Sequence, residues 1–518
     1  MPTFELIRAF SPLAMAAIMM LVAMLTRLDR IPTPTLWLTF RRASFLAMVI
    51  AGALVFISPI PMVMPSAFQA STLSLTIAFL VQLLGTIISA FSSRYLEGEY
   101  GQRGYIAAFA IVLGAVHLLL LADHWVVLIL AWALVGIALQ RLLCFYPERA
   151  FARLAAHKKR IADRLADALL ISAASLAWME VGSGSLSALW IHVAQHGLSV
   201  AMQFSALCMA LAVVLRTALL PVHGWLIQVM EAPTPVSALL HAGVVNLGGF
   251  VLIRFAPLLE HATAARTLLL VFGLSTAVLA GMVMLTRITI KVRLAWSTVA
   301  QMGFMLLECA LGLYTFAALH LIGHSLYKAH TFLSASSVVR QTRQAMLLTV
   351  EPLLAMSLLA APLLSTGLVL GIQTAIGQHD WPWWWSGILG LAWAPLLWLR
   401  EGDRLRGMTQ ALFGLLVVAG LTVAALLGHA LPLGIHDSPR HALGLGALAG
   451  MSVLYLCLMT LQLKPRLLDN WRRRSYAGFY VDEVYTRLAL RYWPTRWMPE
   501  RATHAASTTT DRALFDAH

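Results

Sequence analysis

The sequence predicts an all-α, polytopic membrane protein. Three observations carry that prediction: 60% of the 518 residues are hydrophobic, only 12% are charged, and the mean hydropathy is +0.79. Ordinary soluble domains run about 45–50% apolar and about 25% charged, because they need a polar surface. A soluble enzyme, a disordered chain and a nucleic-acid binder are therefore excluded as first readings.

The elements follow from the apolar runs. A spanning helix needs roughly 20 mostly apolar residues, which predicts about 13–15 transmembrane helices. Candidate stretches centre near residues 18, 54, 81, 112, 132, 172, 210, 246, 274, 304, 326, 360, 390, 418 and 452. The first, from Phe10 to Leu25, has no small-residue cleavage site behind it and reads as a retained span. No long polar stretch interrupts the series. Residues 1–463 are thus expected to form a membrane domain and residues 464–518 a cytoplasmic tail.

Charge gives the orientation. Basic residues gather in alternate connections: Arg27, Arg30, Arg41 and Arg42; Arg149, Arg153, Lys158, Lys159 and Arg160; Arg287, Lys291 and Arg293; Arg340 and Arg343; Arg400, Arg404 and Arg406. The tail opens with Lys464, Arg466 and Arg472 to Arg474, while the opposite connections hold only Arg8, Arg254, Arg266 and Arg440. The positive-inside rule then puts the N-terminus on the periplasmic side of a bacterial inner membrane and the C-terminus in the cytoplasm. The net charge of +14 is a topology signal, not a nucleic-acid footprint. Cys144, Cys208, Cys309 and Cys457 form no CxxC pair and read as small buried hydrophobes. Neither a zinc site nor a disulfide framework is indicated, and no cofactor is expected in this chain.

Ionisable groups at bilayer depth are costly and need a reason. Asp167, Glu180, Arg216, His241, Glu308, His320, His324, Lys328 and His330 are such groups. Arg216 opens a segment in which Pro221, Pro233 and Pro235 break helices before His241, and Thr234 and Ser237 are available to freed backbone groups. Broken backbone in a membrane is tolerated only inside protein or beside water. A tight loop with a helix capped at Ser237 is the alternative, but it does not account for Arg216 and His241 on either side of the break. His320, His324 and Lys328 recur at i, i+4 and i+8, so they stack along one helical face. Histidine titrates near neutral pH, so such a column suits proton passage. A hydrogen-bonded structural face and a zinc site are the alternatives, the latter lacking a carboxylate nearby in sequence. Arg164 and Asp167 have i, i+3 spacing for an ion pair. Glu180 and Glu308 stand alone, either at the interface or in proton transfer.

These residues resemble a known family in their order. The patterns HxWLxxxMxxPTPVSALxHA, STxxQxGxM and HLxxHxxxKAxxFL are found here at His223–Trp225 with Pro233–Ala242, at Ser297–Gly303, and at His320–Leu333. They resemble the proton-conducting antiporter-like subunits: complex I subunits L, M and N and the large Mrp subunits. The likeness is clear over residues 90–345, with an antiporter-like core at about 90–400. Gly478 to Tyr485 also resembles the subunit-L terminus. The resemblance implies two inverted five-helix repeats, each with a broken helix. The first would carry Arg216 and Pro221, and the second would lie near Pro352 to Gly371.

Departures narrow the branch. The family's span-five carboxylate falls on Ala133, its broken-helix lysine on Arg216, and its acid after Trp-Leu-Pro on Gln228; no lysine occurs from Leu363 to Gly371. Arginine stays charged in proteins, so Arg216 holds charge without shuttling a proton. Arg164, Asp167, Lys291, His320, His324 and Lys328 are retained, with Glu180, Glu308 and Asp167 as candidates to replace the lost carboxylate. This pattern resembles the DabB branch, membrane subunits of two-component inorganic carbon transporters. That likeness implies conduction of H⁺ or Na⁺ to drive DabA, a large cytoplasmic partner similar to a zinc β-carbonic anhydrase, with Zn²⁺ in the partner. A redox-complex subunit, an Mrp-type Na⁺/H⁺ antiporter and a non-conducting scaffold are the competing expectations.

Overall fold

The computed structural model describes residues 3–57, 64, 66–335, 352–377, 381–402 and 404–495. Arg340, Arg343 and the end of the tail lie outside them. Among the described residues the chain is helical, with only three isolated β-bridges. The first helices are α1 (Thr3–Leu25), α2 (Thr33–Ile57), α3 (Thr72–Tyr95), α4 (Gln102–Leu121), α5 (Trp125–Leu143), α6 (Ala150–Val181), α7 (Leu186–His196) and α8 (Val200–Arg216). Then come α9 (Gly224–Gln228), α10 (Thr234–Ala242), α11 (Leu247–Arg254), α12 (Ala256–Leu259), α13 (Thr263–Leu285), α14 (Ile290–Leu311) and α15 (Tyr314–Leu333). The C-terminal part holds α16 (Ala355–Ala375), α17 (Trp383–Trp393), α18 (Arg404–His429), α19 (His441–Leu463), α20 (Asp469–Tyr476) and α21 (Val481–Tyr492).

Local chemistry sets many boundaries. Ser71 and Ser74 form a reciprocal cap at the start of α3. Ser185 and Ser199 cap α7 and α8 through their hydroxyls. Gly182 and Gly312 end α6 and α14 in the left-handed conformation that glycine adopts without strain.

All fifteen apolar stretches lie in helical segments, yet ten helices among the described residues are long and apolar enough to cross a membrane. The chain is a multi-pass membrane protein. Two shorter apolar helices, Ala9–Leu25 and α8, fall below that length. The others differ for physical reasons. α6 and α15 carry charged and imidazole side chains along their length, and α17 is only 11 residues long before a 3₁₀ turn at Ala394–Leu397.

Three sequence expectations are corrected here. Arg41 and Arg42 sit within α2, and Arg153, Lys158, Lys159 and Arg160 within α6, not in connections. The helix continues through these residues because arginine and lysine are good helix formers and are flanked by alanine, leucine and isoleucine. The second broken helix is absent from its expected place: α16 runs unbroken from Ala355 to Ala375 with Pro362 inside it. Ser237 does not cap a helix; it lies inside α10, whose N-cap is Pro233.

The interior has two apolar cores. The larger takes in α1 to α15, from Met15 to Phe332, together with Leu433. The smaller gathers Trp381, Trp384, Trp385 and Ile388 with Val369, Val418 and Met451. α13 and α14 touch at Gly273 and Gly303, where an added Cβ would stand 2.7 Å from facing backbone atoms. Exposed apolar side chains such as Leu363, Met408, Phe413 and Leu416 face outward, as lipid contact requires.

Candidate functional site

The first break begins where α8 ends. Arg216 is its last residue, Ala218 takes a positive φ of 55°, and the chain crosses Pro221 before α9 restarts at Gly224. Side chains take up freed backbone groups: Leu220 N–H donates to Thr276 Oγ1 at 3.3 Å. A 3₁₀ turn at Val229–Glu231 leads to α10, which begins after Pro233 with Pro235 in its first turn. The same span is interrupted again at Gly243 before α11.

Arg216 is buried beside Trp132, with its guanidinium 4.9 Å from the indole centre. Nη1 donates to the Trp132 carbonyl at 2.7 Å, and Nη2 pairs with Asp167. Arg164 Nη1 reaches the other Asp167 oxygen at 3.3 Å. Arg216 therefore faces an acid after all, supplied by α6 instead of α5. One turn earlier Lys159 pairs with Asp163, whose carboxylate packs against Gly136 of α5. Lys159 Nζ also lies 5.3 Å from the Trp225 ring in α9. Lys159 and Asp163 belong to this site and were missed in sequence, although their i, i+4 spacing signalled a pair. The dense basic run made them look like a connection.

The histidine column forms the second cluster. Glu308 Oε2 on α14 accepts from His320 Nδ1 at 2.8 Å, so the fold brings a carboxylate to the histidines that sequence separation hid. The His320 and His324 rings are 6.0 Å apart. His324 and His241 are buried, and none of their ring nitrogens has a protein partner. His241 stacks on Phe332 with centroids 4.5 Å apart. Buried polar groups normally find protein or water partners. Lys328, almost fully buried, donates to the Leu294 carbonyl at 3.0 Å and to Ser297. Asn246 Nδ2, at the restart of α11, donates to Ser325 at 2.7 Å beside a cavity just large enough for a water.

The broken segment lies between the clusters. Trp225 touches Lys159, while the His223 ring sits 4.9 Å from Trp296, the neighbour of the Ser297 that holds Lys328. Lys291 Nζ donates to Thr234 Oγ1 at 2.7 Å and ties α14 to α10. Thr234 thus serves a lysine and not the helix start. Glu180 stays apart: it accepts from Ser199 and from His192 Nε2, the latter at 3.4 Å, where α6, α7 and α8 meet. His330 lies on the exposed side of α15, away from the column.

Two further polar sites escaped sequence reading. His117 Nε2 and Gln82 Oε1 are 2.8 Å apart, and Gln82 Nε2 donates to Ser44 Oγ at 2.8 Å, in a buried network across α2, α3 and α4. In the tail, Tyr485 donates to the Lys158 carbonyl at 2.8 Å; burial raises its phenol pKa and keeps it a donor.

Residues 122–377 match the family described as NADH:quinone oxidoreductase/Mrp antiporter, transmembrane. The chain is 39% identical over 437 residues to the probable inorganic carbon transporter subunit DabB of Hydrogenovibrio crunogenus, covering 82% of this chain and 83% of that one. It is 37% identical over 453 residues to the probable inorganic carbon transporter subunit DabB2 of Halothiobacillus neapolitanus, covering 83% and 81%. The solved structure of the Mrp complex from Dietzia sp. DQ12-45-1b shares its fold, with a TM-score of 0.55 at 20% identity over 99% of this chain and 60% of that one. The chain therefore belongs to the NADH:quinone oxidoreductase/Mrp antiporter transmembrane family, and within it to the inorganic carbon transporter subunits DabB.

Proposed function

We propose that this chain is the energy-coupling membrane subunit of a two-component inorganic carbon uptake complex. H⁺ (or Na⁺) runs down its gradient through the chain and drives a large cytoplasmic partner similar to DabA. The partner, with Zn²⁺ in its own site, converts CO₂ and water to bicarbonate and a proton. Residues 1–463 lie in the membrane, with the N-terminus periplasmic, and residues 464–518 face the cytoplasm toward the partner. In this reading the chain is a translocator and carries out no bond chemistry.

The observation that carries the reading is the likeness to DabB subunits over more than 80% of both chains. The site geometry supports the ion path. Glu308, His324, His241 and Lys328, which are buried, and the half-buried His320 are groups able to exchange protons. Arg216 holds a fixed positive charge on Asp167, and Lys159–Asp163 supplies the exchangeable acid–base pair absent from α5. The two inverted repeats remain part of this proposal, with α8 to α11 as the broken unit.

The test is purification in mild detergent, followed by mass spectrometry and metal analysis of what accompanies the chain. One large soluble subunit with bound zinc is expected, together with gradient-dependent CO₂ uptake. Iron–sulfur subunits, or a set of small hydrophobic ones, would overturn the reading.

A further inference from the structure

The C-terminal segment folds back onto α6 at one point. After α20 the backbone turns through Phe479 and Tyr480, both with positive φ near 60°, and starts α21. The second residue of α21, Asp482, lands on Lys158 of α6. Its two oxygens accept from Lys158 Nζ at 2.7 and 3.0 Å, and Thr486, four residues on, accepts at 3.1 Å. An ammonium has three donors. All three are used here, and two of the acceptors belong to one tail carboxylate.

The Lys158 side chain is completely buried at 0% exposure, against 27% for Asp482. Among the described residues Asp482 is the only carboxylate within ion-pair distance of it. A buried charge stripped of its partner is strongly unfavourable. Asp482 also touches the broken segment. A Cβ at Gly224 would collide with the Asp482 carboxylate, so glycine at the start of α9 makes the room this contact needs. Gln228 Nε2, at the other end of α9, donates weakly to Oδ2 at 3.5 Å. The tail thus brings a negative charge to the stretch where residue 228 carries an amide. The same stretch places Trp225 against Lys159 and His223 against Trp296. The tail is pinned further at Tyr485 and at Trp493, whose carbonyl lies 2.8 Å from His157 Nε2.

We propose that Asp482 is a positioning residue of the ion path, a tail-borne counter-charge that sets Lys158 and α9 so that the neighbouring Lys159–Asp163 and Asp167–Arg216 pairs can work. It rests on the ion-conducting reading above and adds to it a physical link. Any partner that binds the cytoplasmic tail and shifts α21 changes the charge balance at the broken helix. The link therefore connects the cytoplasmic partner to the ion path through one removable carboxylate.

The test uses the full-length chain with its partner in inverted membrane vesicles. One measurement follows protease cleavage of the tail after Arg487 and Arg491. The other follows inorganic carbon uptake as a function of pH. Asp482→Asn and Lys158→Met are expected to raise cleavage roughly tenfold, as loss of a buried pair predicts. Asp482→Asn is also expected to lower uptake at least about fivefold and to shift its pH profile. Asp482→Glu, which keeps the charge, is expected to restore the wild-type pH profile. A faster-cleaved tail with an unchanged pH profile would reduce Asp482 to a tether and overturn the proposal. Wild-type uptake and profile in Asp482→Asn would overturn it outright. If the wild-type complex takes up no inorganic carbon, the function proposed above fails instead, and proton flux in the same vesicles decides the Asp482 comparison.

Discussion

Arg216 shows how one side chain changes a site. Its charge is permanent, so its role is to fix the potential around Asp167 and the Trp132 carbonyl. Arg216→Ala is expected to lose about 1–3 kcal/mol of stability, because it leaves the half-buried Asp167 with only the exposed Arg164 as partner. A detergent thermal-shift measurement reads this, and an unchanged melting temperature would count against a buried pair. Arg216→Lys is expected to recover part of that stability and to move the pH profile of uptake. His324→Ala and Lys328→Ala are expected to abolish uptake while leaving membrane insertion intact, since both groups are buried on the column. Full activity in both variants would rule out proton passage there. Asp163→Asn is expected to resemble them, because it removes the acid beside Gly136. The i, i+4 and i+8 histidine spacing made the column legible. Asp163 was not, since its meaning depends on Gly136, 27 residues earlier on another helix.

At the level of elements, close helix contact and loop chemistry set the frame around the site. The Gly273–Gly303 contact holds α13 to α14 and so places Ser297 and Trp296. Gly303→Val would force backbone apart, and a loss of about 1–3 kcal/mol is expected, read as a lower melting temperature and lower yield from membranes. The connection between α18 and α19 offers a pH-dependent test. Burial raises the Asp437 carboxyl pKa, against the opposing pull of the Thr315 N–H at 2.8 Å and of His429 at 3.8 Å. The folded chain then keeps this proton to a higher pH than the unfolded chain. The resulting stabilisation is present below the ordinary carboxylate range and is lost as pH rises through the raised value. Asp437→Asn is expected to flatten the melting-temperature profile in that window. The one cap read from the sequence, Ser237, lies inside α10, and α16 was expected to break and does not. One proline with no ionisable residue nearby leaves the membrane helix able to continue past it.

On the scale of the whole molecule, the Arg216, Lys159 and Lys328 groups lie among helices of the larger core, while the smaller core is built on tryptophan and aliphatic packing, with the His429–Asp437 pair at its edge. Under the proposed function, the ion path runs through the helices of the larger core and the smaller core has a structural role. Charge-removing variants in α6, α8, α14 and α15 are therefore expected to stop uptake. Replacement of Gln373, which hydrogen-bonds Ser386 in the smaller core, is expected to lower the melting temperature and leave the pH profile of uptake unchanged. A shifted profile in Gln373→Leu would show that the second unit also carries ions.

Composition and apolar length by themselves determined that the chain is helical and lives in a membrane, because the cost of bare backbone and charge in lipid leaves few solutions. Motif order determined the family, and helical periodicity determined which histidines share a face. Only the tertiary structure decided who pairs with whom. Asp167 with Arg216, Glu308 with His320, Asp163 against Gly136 and Asp482 with Lys158 join residues up to 324 positions apart. Burial makes the charged pairs among these matter, because a charge removed from water must find its opposite, and the folded backbone alone fixes where that opposite stands.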